Sequence, residues 1–250
     1  MAIESIGIVG YGQFGQFLAE LAEKFAPRLD LKVFSHRFEP DSERFFSLEE
    51  TCKSDLVIAA VAIRDFEAKV AEIVPRLGPK SVLVDVATVM MHTVEVLKRH
   101  GNGLRYLATH PMFGPYSFEK QGGTLEGLRI VLSDHTFEPE TYEAIKAALE
   151  GHGLVVLEMS PEEHDRQIAE TLFLTHYVGQ IVTHGGFVRT QVDSVSFGYL
   201  MDAVESVRQD TALFQDVFHY NPFCREVAQR FDQAEAEVDR LIHRKALADR

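Results

Sequence analysis

The chain has 250 residues, 46% of them hydrophobic and 25% charged, with a formal net charge of -13. That length buries a full core in one large domain or two modest ones. A net-acidic surface repels phosphate backbones and anionic lipid headgroups, which argues against nucleic-acid and membrane partners but leaves room for a local basic pocket.

From Ser5 to about Leu157 short apolar runs alternate with amphipathic stretches. Strands are predicted at Ser5–Val9, Leu31–Phe34, Leu56–Ala60, Ser81–Val86, Leu104–Ala108, Leu128–Leu132 and Leu154–Leu157. Several are unbroken Val/Ile/Leu runs, as expected of strands covered on both faces. Helices are predicted over Gln16–Phe25, Asp65–Leu77 and Glu138–Glu150. This alternation implies an α/β fold, a Rossmann-type doubly wound and mostly parallel sheet. The character changes at Ser160, where Ser-Pro-Glu-Glu supplies an N-cap, a proline at the first helical position and a glutamate three residues after the cap. Beyond it the pattern is helical, with predicted helices over Pro161–Gly185, Phe197–His219 and Pro222–Ala248. The expected organisation is a dinucleotide-binding domain over 1–159 and a helical substrate and dimerisation domain over 160–250. The second is too thin to hide its apolar positions alone, so a homodimer is expected.

The longest apolar runs, such as Leu56 to Ile63, are too short for a bilayer. No secretory signal pattern opens the chain, and Cys52 and Cys224 form neither a disulfide nor a metal spacing. A cytoplasmic protein without metal is expected.

Residues 6–15 read Ile-Gly-Ile-Val-Gly-Tyr-Gly-Gln-Phe-Gly, placing Gly10, Gly12 and Gly15 in G-x-G-x-x-G order between a strand and a helix. The first glycine permits the tight turn, the second lets backbone approach a pyrophosphate, and the third lets the helix pack on the strand. Tyr11, Gln13 and Phe14 belong to the same cofactor-binding turn. At the end of the second strand an NAD site usually carries Asp or Glu for the ribose 2′-hydroxyl. Here the sequence is Phe34-Ser35-His36-Arg37 with no carboxylate before Glu39. Arg37 offers a planar fork and Ser35 a hydroxyl for a 2′-phosphate, so Ser35, His36 and Arg37 point to NADP rather than NAD.

Two further strings concentrate reactive residue types. Thr109-His110-Pro111-Met112-Phe113-Gly114-Pro115 follows a predicted sheet strand, where open α/β sheets bind ligands. Glu158-Met159-Ser160-Pro161-Glu162-Glu163-His164-Asp165-Arg166-Gln167 opens the helical part and leads to Thr175-His176. Together with Gly198-Tyr199 and the Asp210…Tyr220-Asn221 stretch, these strings resemble the prephenate/arogenate dehydrogenase family of tyrosine biosynthesis. The likeness is strongest to its short, plant-type arogenate dehydrogenases.

The resemblance implies oxidative decarboxylation of a cyclohexadienol with hydride transfer to the nicotinamide. It makes His110 the general base on the ring hydroxyl, a task that suits imidazole. Thr88 stands where the family usually has a serine supporting that hydroxyl, and Met90 where relatives often carry a lysine. His176 would face the substrate, twelve residues from His164 and roughly on the same helical face. For His164 a structural and a functional role are equally open, while Asp165 and Arg166 are expected to tie the helix start to the first domain. Asp210 matches a plant-type aspartate and is the candidate partner for the ammonium of arogenate, since an unpaired buried charge is costly. Many bacterial relatives that take prephenate place an arginine where this chain has Glu205; Arg208 or Arg189 are the remaining candidates for a substrate carboxylate. Alternatives are prephenate as the preferred substrate, a catalytically weak NADP-binding protein of the same fold, and a β-hydroxy-acid dehydrogenase. The last usually needs a lysine in the helical domain, and the first two helices predicted there have none. No fused mutase or regulatory domain is expected.

Overall fold

A computed structural model describes residues 3–101 and 103–248, with side chains described through His243. The chain divides into two compact units, Met1–His164 and Asp165–Arg250.

In the first unit, β1 (Ser5–Val9), α1 (Gln13–Phe25) and β2 (Asp30–Phe34) form the opening βαβ unit, followed by the short α2 (Leu48–Thr51). Next come β3 (Leu56–Ala59), α3 (Phe66–Ile73), β4 (Val82–Asp85), α4 (Met90–Arg99) and β5 (Tyr106–Pro111). The unit is completed by α5 (Pro115–Lys120), β6 (Arg129–His135), α6 (Pro139–Gly151) and β7 (Val155–Glu158). The strands form one seven-stranded sheet in the order β2-β1-β3-β4-β5-β6-β7. All neighbours run parallel except β5 and β6, which are antiparallel. Each of the seven predicted strands is present, because strands sandwiched between helix layers must be apolar along their length. The α4 and α5 helices were not predicted.

The order of strands reverses between β1 and β3, so the loops leaving their carboxyl ends diverge and open a crevice there. The core lies on both sides of the sheet. On one side Phe66, Val70, Ile73, Val94 and Leu97 of α3 and α4 pack on Val57, Leu83 and Ala108. Elsewhere Phe17 of α1 meets the rings of Phe113 at 6.2 Å and Phe118 at 5.4 Å, tying the first helix to the segment after β5. Each pair contributes about 1 kcal/mol beyond burial.

The helical unit begins within α7 (Pro161–Ile168), which runs through a π-helical turn, Ala169–Phe173, into α8 (Leu174–His184). Then follow α9 (Val195–Val207), α10 (Thr211–Tyr220) and α11 (Cys224–Ala248). The predicted helix Phe197–His219 is therefore two helices, broken at Arg208–Asp210, where Arg208 ends α9 and Asp210 turns to φ -92°, ψ 38°. The apolar pattern runs straight across that break, and no Gly or Pro marks it. The rings of Phe214 and Phe218 stack on that of Phe173 at 5.6 and 5.7 Å and hold α10 against the π-helical turn. Among the described residues no helix is long and apolar enough to cross a membrane.

Candidate active site

The glycine turn sits at the crevice between β1 and β3. Gly10 has φ +110°, and a Cβ there would lie 2.2 Å from the Ala60 carbonyl oxygen, on the loop leaving β3. A Cβ on Gly15 would lie 2.2 Å from the Gly10 carbonyl oxygen. These two glycines are required by the protein's own packing. Gly12 differs: a Cβ there meets nothing within 4 Å. The chain's own packing therefore does not require glycine at that position, which is open to a closely approaching group. Gly12 is also the N-cap of α1, which has neither a capping side chain nor an acidic residue in its first turn. Its free N–H groups and the positive end of its dipole suit a pyrophosphate.

Within the turn, Tyr11 places its ring edge against Phe38 and Phe45 at 5.8 and 5.2 Å. Its hydroxyl accepts from Arg44 Nη1 at 3.1 Å, and its carbonyl accepts from Arg37 Nη2. Gln13 is exposed at the start of α1, and Phe14 is half-buried beside Phe17. At the end of β2, Ser35 is buried and its Oγ accepts from the Arg37 N–H at 3.3 Å. The His36 ring meets Lys69 Nζ at 3.0 Å, and Lys69 pairs with Glu72 at 2.7 Å. Arg44 pairs with Glu23. Arg37 makes no ion pair among the described residues. Arg44 and Lys69 escaped sequence reasoning because they reach Tyr11 and His36, respectively, from 33 residues away on other segments. No local spacing could have found them.

His110 lies near the carboxyl end of β5, a strand buried throughout. Thr109 Oγ1 donates to the Asp85 carbonyl at 2.7 Å and locks β5 to β4 beside it. The imidazole is 5% exposed, and its Nδ1 sits 2.9 Å from Nε2 of His164, which is itself buried. Burial, helped by the neighbouring His164, pushes the His110 pKa well below the ordinary value for histidine. His110 is therefore neutral near pH 7 and able to accept a proton. Thr88 follows β4, the strand next to β5, and is half-buried, and its hydroxyl makes no hydrogen bond among the described residues. Met90 is fully buried at the start of α4, an environment in which a lysine would need a partner charge.

The predicted cap at Ser160 is present: its Oγ accepts from the Glu163 N–H at 3.2 Å and its carbonyl from the His164 N–H at 2.9 Å. The π turn interrupts the 3.6-residue repeat on which a common face for His164 and His176 depended. His164 turns to His110, whereas His176 lies parallel to the Phe214 ring at 6.5 Å. Asp165 and Arg166 face the junction of α10 and α11. The Asp165 carbonyl accepts from Asn221 Nδ2 at 2.7 Å, and the Arg166 guanidinium lies 4.1 Å from the centre of the Phe223 ring.

In the helical unit His176 is buried, its Nδ1 has no hydrogen-bond partner, and burial lowers its pKa to about 4. Asp210, one turn before Phe214 on α10, is half-buried, and desolvation raises its pKa. Its carboxylate has no hydrogen bond or ion pair among the described residues. The Arg208 carbonyl accepts from Gln180 Nε2 at 3.5 Å, and its guanidinium makes no ion pair among the described residues. Arg189 is otherwise engaged, donating to Glu205 at 2.9 Å and to Asp202 at 2.6 Å. That pairing removes it as a free anchor for a substrate carboxylate.

An open glycine turn at a sheet crevice, with a buried neutral histidine at the end of another strand, defines a nucleotide-binding dehydrogenase domain and hence an oxidoreductase using NAD(P). Residues 41–158 match the family described as prephenate dehydrogenase, nucleotide-binding domain. Over that segment the chain is similar to the prephenate dehydrogenase family. It is 28% identical to Arabidopsis thaliana arogenate dehydrogenase 2, chloroplastic, over 95% of this chain and 69% of that protein. With arogenate dehydrogenase 1 of the same plant it shares 29% over 92% of this chain, but only 38% of that longer protein. Its fold is that of the prephenate dehydrogenase from A. aeolicus, crystallised with hydroxyphenyl propionate and NAD+ (TM-score 0.71, 19% identity, 98% of this chain and 93% of that one). The Synechocystis arogenate dehydrogenase shares it too (TM-score 0.67, 18% identity, 96% and 92%).

Proposed function

We propose that this chain converts arogenate to tyrosine by oxidative decarboxylation with NADP. The observation that carries the reading is His110, a buried neutral imidazole within the Thr109–Pro115 string. In this reading His110 accepts the proton of the ring hydroxyl and Thr88 supports the same oxygen with its unoccupied hydroxyl. The bound nicotinamide supplies the two-electron oxidant. Gly10, Tyr11, Gly12, Gln13, Phe14 and Gly15 form the pyrophosphate turn, and Ser35, His36 and Arg37 receive the 2′-phosphate. Support for NADP is the unpaired charge of Arg37 together with the lack of a carboxylate at the end of β2. The NAD+ of the A. aeolicus crystal makes NAD the competing cofactor.

Support for arogenate over prephenate is the half-buried, unpaired carboxyl of Asp210. Leaving it so is costly, and a substrate ammonium relieves the cost. His176 and Arg208 are assigned to the substrate as well, Arg208 through its unpaired guanidinium. A homodimer through the helical unit is favoured by the exposed apolar side chains of Phe187, Val188, Val192, Val195, Tyr199 and Leu200.

The test is a matrix of arogenate and prephenate against NADP and NAD. The highest kcat/KM is expected for arogenate with NADP, by about tenfold over each single exchange, or ~1.4 kcal/mol. Equal rates with NAD would remove the role given to Arg37. Equal rates with prephenate would remove that of Asp210. Absence of turnover in all four mixtures would overturn the enzyme reading. Sedimentation or light scattering reads the dimer.

A further inference from the structure

The contact between His110 and His164 constrains where protons sit. An N···N distance of 2.9 Å between two imidazoles is a hydrogen bond and holds one proton. Two lone pairs or two N–H groups facing each other would repel. The rings cross at 81° with centroids 5.1 Å apart, so this is an edge contact through nitrogen and not a stack. Both rings are held from their own backbones. His110 sits in the β5–β6 ladder opposite Val131, beside the Thr109–Asp85 hydrogen bond. His164 sits in the first turns of α7, whose start is fixed by Ser160.

Two proton arrangements satisfy the contact. In one, His110 carries its proton on Nδ1, donates to Nε2 of His164 and keeps a lone pair on its own Nε2. In the other, His164 donates and His110 bears its proton on Nε2, where it is no base. The same residue is thus a proton acceptor or a proton donor according to a neighbour 54 positions along the chain.

We propose that His164 is a positioning residue that holds His110 in the Nδ1–H tautomer, leaving Nε2 free to take the substrate proton. When Nε2 gains that proton, the substrate O–H bond breaks and an N–H bond forms, and no electrons pass to either ring. The resulting imidazolium keeps its Nδ1–H bond to His164, now charge-assisted and therefore stronger. This matters because the ring is out of water, where a lone imidazolium is costly. His164 need never meet the substrate. The inference rests on the base role proposed for His110, but its tautomer is measurable without turnover.

The experiment is long-range 1H–15N correlation on ligand-free protein labelled at histidine nitrogens, with His110 assigned by its loss in His110→Asn. The expected spectrum shows His110 protonated on Nδ1 and bare on Nε2. An Nε2–H spectrum for the wild type overturns the proposal at once. His164→Gln keeps an acceptor near the position of Nε2 and should preserve the tautomer. His164→Phe keeps bulk without an acceptor and should convert His110 to a mixture. With arogenate and NADP, His164→Phe should lose about 100-fold in kcat with KM within about threefold, and His164→Gln should stay within about fivefold of wild type. Equal loss in both variants, or an unchanged tautomer in His164→Phe, would reduce His164 to packing. Should the Phe variant fail to fold, the wild-type and Gln spectra still decide the matter. A wild type that shows the Nδ1–H tautomer yet turns over neither dienol would sink the proposed reaction and leave the tautomer assignment standing.

Discussion

The two buried histidines of this chain live in different kinds of structure. His110 belongs to the sheet unit, where its backbone is in a ladder and its Nδ1 already has a ring nitrogen 2.9 Å away. His176 belongs to the helical unit, where its Nδ1 is buried with no partner and its ring lies parallel to that of Phe214. The sheet unit has satisfied its reactive group internally and can hold it rigid. The helical unit instead leaves its buried imidazole without a hydrogen-bond partner on Nδ1, beside a π turn and on the same unit as the exposed apolar side chains of Phe187, Val188 and Val192.

The sharpest way to break this comparison is at the base. His110→Asn should lower kcat by about 1,000-fold with cofactor affinity unchanged, read by steady-state kinetics and nucleotide titration. An intact rate would move the chemistry out of the sheet unit. The glycines come next. Gly15→Ala forces a Cβ to within 2.2 Å of the Gly10 carbonyl and should cost about 2–3 kcal/mol in urea unfolding. Gly12→Ala, with open space around it, should unfold like wild type and instead weaken dinucleotide binding at least about tenfold. If both lose stability equally, Gly12 serves packing and not a ligand.

Acid should separate the units further. His176 is held to a pKa of about 4, below the roughly 6.5 of an unfolded histidine, and His110 is shifted the same way. Between these values the unfolded chain binds more protons, so this stabilisation is complete above about pH 7 and lost as pH falls. For His176 alone the loss at pH 5 is on the order of 2 kcal/mol, and His176→Phe should flatten that part of the stability profile. A profile unchanged by the substitution would show that His176 is not kept neutral by burial. Asp210→Asn should shift preference toward prephenate by about tenfold, seen in the ratio of kcat/KM values. Arg189→Ala should do least, leaving urea unfolding and kcat/KM close to wild type, because its carboxylate partners are exposed.

Much of this architecture is legible in the residues themselves. A strand between two helix layers must be apolar along its length, so all seven strands show as local runs, and a helix start such as Ser160 announces itself within four residues. The glycine turn is equally local, because its chemistry is backbone geometry at fixed spacing. What only the tertiary structure decided are the features set by distant partners or by the balance of packing. The break at Arg208–Asp210 leaves the apolar repeat unmarked. Arg44 reaches Tyr11 of the glycine turn and Lys69 reaches His36 from other segments, and β6 runs antiparallel to β5. Sequence placed His110 at the end of a strand. The fold alone put His164 against it, because a hydrogen bond between residues 54 apart leaves no periodicity to read.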